Sequence, residues 1–242
     1  MSQVFKNGLS LQITLDMLGI DNYLMLFTER DAVFLSWYKN SLIITLLFTV
    51  ISLVFCSLAG YGVAMFDFKG KGLLIIIILS TMMIPVEILM LPLYKEMLAF
   101  KLINTYSGVV LPFAISGFAI YFFMQYAQTI PKDFIDAGRI DGCGELRIFI
   151  QIIAPIMKPA FATMGILQAM TAWNDFLWPL IVMSTNKKFT LTVGLQTYLS
   201  PYGNNYNMLF SGAVLSVVPI MVLFLLNQKA FISGLTVGGM KG

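Results

Sequence analysis

Of 242 residues, 58% are hydrophobic and only 11% are charged. A soluble domain ordinarily has about a quarter of its residues charged, so this composition, with a mean hydropathy of +0.84, marks an integral membrane protein. A net charge of +3 gives no reason to expect a nucleic-acid partner, and two cysteines with no histidine speak against a disulfide framework, a thiolate metal site or a His-dependent hydrolase.

In chain order, residues 1–40 hold no long apolar run and no basic stretch ahead of an apolar core, so neither a span nor a cleavable signal peptide is expected there. A helix needs about 20 largely apolar residues to cross about 30 Å of hydrocarbon. Stretches 41–65, 72–94, 106–126, 159–183 and 208–228 meet that requirement and are apolar on all sides. Because the bilayer offers the backbone no water, such isolated stretches can only be helical. The expected class is therefore an all-α polytopic membrane protein with about five transmembrane helices. Gly60, Gly62, Pro85, Pro92, Gly108, Pro112, Gly117, Pro179, Gly212 and Pro219 fall within or beside these stretches, which predicts kinked and closely packed helices. Tandem repeats, low-complexity tracts and long linkers are absent from the sequence.

Two carboxylates interrupt the apolar stretches. Glu87, just after Pro85, reads as an interfacial or gate-lining group; a proton relay would want a histidine or a second deep acid. Asp175 lies inside 159–183, where an uncompensated charge costs upward of about 2.5 kcal/mol. Asn174, Trp173 and Trp178 are placed to bond it at a helix-packing site or aromatic belt, and the alternative is that it lines a solute path. The 16 methionines and 20 phenylalanines suit packing or lipid contact better than a cofactor site. Gly70-Lys71-Gly72 is a short turn and no P-loop, and no nucleophile has a plausible base, so neither ATP binding nor enzymatic chemistry is expected in this chain.

Between Pro131 and Pro159 lies a charged island broken by glycines. Pro131 suits the first turn of a helix and Asp133 adds favourable negative charge there. Phe134, Ile135, Ala137 and Ile140 would supply apolar contacts, with Asp136 and Arg139 three apart on the same surface. Gly142 and Gly144 would end this helix in a sharp turn. A second amphipathic helix over 145–154 would bury Leu146, Phe149, Ile150 and Ile153. Two short helices bent at glycine form a knob that can pass a partner's rigid-body motion to the spans; the plainer reading is an amphipathic hairpin on the membrane surface.

The order acid-Ala-small followed by Gly, an apolar helix and two prolines is filled here by Asp136, Ala137, Gly138, Asp141, Gly142, Phe149, Pro155 and Pro159. It resembles the cytoplasmic coupling loop of permeases of ABC importers. Asp136 is one methylene shorter than the glutamate usual there, and Gly138 replaces an alanine, weakening the helix by about 1 kcal/mol. The block from Ala172 to Leu180, the run from Phe189 to Leu195 and the ending from Gly234 to Gly242 resemble the carbohydrate-uptake branch, in the form of the maltose-type second permease subunit. Residues Ile20 to Leu24 and Tyr38 to Leu42 resemble the external loop and the start of the second span of sugar permeases, which usually carry one more span ahead of this point. A truncated form, a natural variant and a late-starting gene model are the readings open for that difference.

The resemblance implies a type I ABC importer permease, with 1–40 extracytoplasmic and 41–242 as the transmembrane domain. Its cytoplasmic coupling loop would span 127–158, with Phe134, Asp136, Ala137, Gly138, Ile140, Asp141 and Gly142 docking the ATPase. The implied partners are an ATP-binding subunit dimer, a second permease subunit, an extracytoplasmic sugar-binding protein and the lipid membrane, with no nucleic acid and no cofactor of its own, ATP being bound by the partner. Asn174, Asp175 and Glu87 would be candidates for the sugar path. The implied location is the bacterial inner membrane with coupling loop and C-terminus cytoplasmic, and the lysine and arginine bias points the same way once distant N-terminal charges are discounted. Rival readings are a permease for another solute such as a glycerol phosphate ester, a membrane scaffold or assembly factor, and an ion-coupled secondary carrier, which would want paired repeats and a midplane charge cluster.

Overall fold

The computed structural model describes residues 20–28, 32–199 and 204–239, and among them every regular element is helical. A short helix, Asp21–Thr28 (α1), precedes Val33–Met65 (α2), whose 33 residues form the axis of the molecule. α2 begins at Val33 and not at residue 41, because Val33, Phe34 and Trp37 bury against Leu26, Leu191 and Tyr198. Residues 1–19 and 29–31 lie outside the described residues.

The stretch 72–94 is not one straight span. It is divided into Lys71–Thr81 (α3) and Val86–Ala99 (α4), whose axes turn by 98°. Pro85 has no N–H to extend α3 and holds an extended ψ of 130° at the start of α4. The stretch 106–126 is likewise split into Tyr106–Val110 (α5) and Gly117–Ala127 (α6), with Pro112 in the interruption. Next come Asp133–Ile140 (α7) and Glu145–Ile156 (α8), which contains a π-helical turn over Phe149–Ile153. α8 meets Lys158–Asn174 (α9) at 82°, with Pro159 in the first turn of α9. The stretch 159–183 breaks at Asp175, whose backbone is extended, before Leu177–Val182 (α10). Leu191–Gln196 (α11) and Tyr206–Gly239 (α12) complete the order. Among the described residues, α2 and the 20-residue portion Tyr206–Leu225 are each long and apolar enough to cross a membrane alone.

Packing is organised around α2. Gly60 permits contact of α2 with the α6 backbone: a Cβ there would lie 2.7 Å from the Met124 nitrogen and 2.8 Å from the Ile120 oxygen. Around this crossing pack Cys56, Phe123, Ile135, Ile148, Phe149, Ile153 and Met157. At the other end of α2, Trp37 Nε1 donates to the Asn186 carbonyl at 2.8 Å. Asn40 Nδ2 donates to the Lys187 and Phe189 carbonyls, each at 2.9 Å, and its Oδ1 accepts from the Tyr106 hydroxyl at 2.7 Å. The Leu191 N–H donates to Ser41 Oγ at 2.8 Å, so α2 fastens the 186–191 segment with buried and half-buried hydrogen bonds. Met83, Ile88, Leu91 and Phe210 instead project outward, the inverse of a soluble surface and suited to lipid or another subunit.

Candidate functional site

Two regions carry the candidate chemistry. The first is the hairpin of α7 and α8. α7 ends in a Schellman turn: the Cys143 N–H donates to the Gly138 carbonyl at 2.9 Å and the Gly142 N–H to that of Arg139 at 3.0 Å. Gly142 takes the left-handed φ of 76° that this turn requires. Of the expected docking residues, Phe134, Asp136, Ala137, Ile140, Asp141 and Gly142 are exposed, and Gly138 is buried. Ile140 is 86% exposed and Phe134 47%, so these apolar side chains stand outside the hairpin's own core, whereas Ile135 fills it.

The expected buried set of the second helix needs correction. Ile148, Phe149 and Ile153 are buried, whereas Leu146 and Ile150 face outward. The helix is apolar on two flanks, and contact with Gly138 selects one of them. A Cβ at Gly138 would come 3.0 Å from both Ile148 Cγ1 and Ile152 Cδ1. Gly138, read from sequence as a weakness, is the point where the two helices close.

Arg139 organises the hairpin's charge. Its Nε donates to Glu145 Oε1 at 2.7 Å and Nη1 to Asp136 Oδ1 at 3.3 Å, and its guanidinium lies 6.0 Å from the centre of the Phe66 ring. The Glu145 hydrogen bond, then the nearby carboxylates, hold the Arg139 guanidinium above its ordinary pKa. Asp67, in the turn after α2, pairs with Lys71 at 3.3 Å and Lys132 at 3.6 Å. The Lys71 hydrogen bond first, then Lys132, hold its carboxyl below the usual range. Lys71 also donates to the Phe66 carbonyl at 3.0 Å, closing the end of α2. Tyr61 of α2 meets the Phe149 ring at 5.1 Å. Ion pairs and ring contacts thus tie the hairpin to one end of α2.

The second region is a cleft of about 360 Å³ lined by α2, α9, α10 and the interruptions between helices. Asp175 lines it, whereas Asn174 and Glu87 are exposed and lie outside the lining. The Asp175 carbonyl accepts from Thr192 Oγ1 at 2.7 Å. Sequence reading missed Gln168 and Ser116, which share the cleft. Gln168 is 5% exposed; its Nε2 donates to Ser52 Oγ at 2.5 Å and, more loosely, to Ser116 Oγ at 3.4 Å. Ser116 Oγ also accepts the Ala119 N–H at 3.1 Å, capping α6. Two signals were available: a carboxamide within an apolar stretch, which lipid would not tolerate, and a serine directly ahead of a helix start. Among the described residues no group of His, Cys, Asp and Glu could hold a metal ion.

An all-α polytopic architecture with a charged helical hairpin fastened to its axial helix defines the permease fold of type I ABC importers. A family model of the binding-protein-dependent transport system inner membrane component matches residues 52–236, and the chain belongs to that family. It is 49% identical over 241 residues to the arabinooligosaccharides transport system permease protein of Bacillus subtilis (strain 168), covering 100% of this chain and 85% of the relative. It is 34% identical over 215 residues to the lactose transport system permease protein of Rhizobium radiobacter, covering 89% of this chain and 78% of that one. A crystal structure of a bacterial ABC transporter involved in import of the acidic polysaccharide alginate superposes with a TM-score of 0.84 at 23% identity, covering 95% of this chain and 85% of its counterpart. That last likeness speaks to the fold.

Proposed function

We propose that this chain is the sugar-conducting permease subunit of an ATP-driven importer, taking an oligosaccharide of the arabinan class from an extracytoplasmic binding protein. The observation that carries the reading is the 49% identity, over 100% of this chain, to a permease named for arabinooligosaccharides. The hairpin supplies the means of drive: an exposed acidic and apolar face on α7, tied to the end of α2 by the Tyr61–Phe149 contact and the Asp67 ion pairs. In this reading an ATPase dimer on the cytoplasmic side docks against Phe134, Asp136, Ala137, Ile140, Asp141 and Gly142. A second permease subunit completes the path, and the C-terminus shares the hairpin's side. Closure of the ATPase pair shifts the hairpin, α2 follows through Tyr61 and Asp67, and the path turns from one side to the other. No covalent step takes place in this chain, ATP being hydrolysed by the partner. The test is purification of the tagged chain with its neighbours, followed by uptake of arabinotriose into proteoliposomes. An ATPase subunit should copurify and uptake should require enclosed ATP; uptake driven by an ion gradient without ATP would overturn the reading.

A further inference from the structure

α8 carries a hinge where it touches α2. Its turn over Phe149–Ile153 is π-helical, with the Ala154 N–H donating to the Phe149 carbonyl five residues back. Pro155 follows directly; it offers no N–H to the Gln151 carbonyl and would crowd that carbonyl in a regular α-helix, so the wider turn fits the sequence. A single π-helical turn interrupts the regular hydrogen-bond ladder and is a known cause of helix bending. This one divides α8 into Glu145–Ile148, which belongs to the hairpin, and Ala154–Ile156, which runs on to α9.

Beside the hinge stands an unmet donor. Tyr61 is 4% exposed, and its buried hydroxyl has no hydrogen-bond partner among the described residues. The rings of Phe66 and Phe149 pack against it at 5.8 and 5.1 Å, so a partner must come to the hydroxyl. A buried orphan donor costs its full desolvation, and each one in a native structure calls for a reason. This hydroxyl lies within electrostatic reach of Glu145 and Arg139. Arg139 takes one carboxylate oxygen of Glu145, Oε1, at 2.7 Å, and the Glu145 side chain is 44% exposed, so it can exchange water for a protein donor. We propose that Tyr61 is a latch for a second position of the hairpin: when Glu145–Ile148 swings on the π-helical turn, the Tyr61 hydroxyl donates to Glu145 Oε2 while Arg139 keeps Oε1. The orphan donor disfavours the resting position, and a charge-assisted bond, roughly twice as strong as a neutral one, favours the swung position. One hydroxyl thus biases the joint toward the swing and lessens the work asked of the ATPase.

The inference rests on the ATP-driven permease reading, and the experiment keeps the two apart. In the complete complex, spin labels at Leu46→Cys on α2 and Leu146→Cys on α8, both exposed positions, report where the hairpin stands; the background is Cys143→Ser, with Cys56 fully buried. Without nucleotide one distance should dominate, and ATP with vanadate should bring up a second. At the nucleotide level that populates both equally in the wild type, Tyr61→Phe should lower the ratio of second to first about tenfold, the worth of roughly one hydrogen bond. That variant keeps the ring contacts and removes only the hydroxyl. With Glu145→Ala already present, adding Tyr61→Phe should leave the ratio where it was. An unchanged ratio in Tyr61→Phe alone overturns the latch. A tenfold drop that persists alongside Glu145→Ala overturns it too, because the hydroxyl then has another acceptor. A single distance with and without nucleotide, in a labelled complex that still imports arabinotriose with ATP, overturns the latch and leaves the permease reading standing. Import that needs no ATP sinks both.

Discussion

In the hairpin, Asp136, Arg139 and Glu145 lie within ten positions of one another, are exposed, and bond at 2.7 and 3.3 Å. In the cleft, Gln168 is 5% exposed and meets hydroxyls 116 and 52 positions away in the chain. The hairpin's polar groups keep water as an alternative partner, so each pair adds little and the surface stays free to re-pair with another protein. Gln168 has given up water, so it depends on its partners. Docking faces can be written locally in a sequence; a buried polar network is written across it.

The largest effect should come from Gly142→Pro. A φ of 76° is beyond the reach of proline, and the Gly142 N–H that donates to Arg139 is removed with it. Backbone strain of roughly 1–3 kcal/mol would reshape the exposed face of α7. Uptake should fall to background while the complex still assembles and hydrolyses ATP, measured side by side in the same proteoliposomes; wild-type uptake would show that the turn does not carry force.

A smaller effect sharpens the contrast itself. Ser52→Ala leaves a buried amide donor with only the longer Ser116 bond and should cost about 1–3 kcal/mol. Arg139→Gln breaks two exposed pairs and should cost less than Ser52→Ala. Thermal unfolding of the purified complex ranks the two, and a reversed order would mean that the hairpin charges are structural and not held in reserve for a partner.

The smallest effect concerns pH. Asp67 has its folded pKa lowered by Lys71 and Lys132, so its contribution is fully present above the unfolded value and fades as pH falls through the folded one. Protection factors over 133–140, from which the intrinsic pH dependence of amide exchange has been divided out, should therefore fall at acid pH. Asp67→Asn should show the lower protection already at neutral pH and lose the pH dependence of protection; a slope in protection that persists in the variant assigns the effect to another carboxylate.

Much of the hairpin was legible because helix starts, glycine turns and apolar spacing are local. The error there was also local: Leu146, Ile148, Ile150 and Ile152 present apolar atoms on two flanks of one helix, and only Gly138, on the other helix, decides between them. The interruptions were legible as positions and not as outcomes. Pro85 and Pro112 stand at breaks, yet Pro92 and Pro219 lie inside continuous helices. A missing N–H can be absorbed by a bend or by a full break, and packing decides which. Asp175 drew attention as a charge, whereas Gln168, with no charge, gave only a faint signal until Ser52 and Ser116 came into contact with it.

The position of the Gly60 crossing along α2 gives the helix unequal arms. At 1.5 Å per residue, roughly 35 Å separates Gly60 from Trp37 and roughly 8 Å separates it from Met65. A rod pivoting where two backbones touch would multiply displacement about fourfold from its short arm to its long one. A nudge of about 1 Å at the hairpin would then become about 4 Å at the segment that Trp37, Asn40 and Ser41 hold. The fulcrum is a glycine, and any side chain placed there would move the pivot as well as loosen the pair.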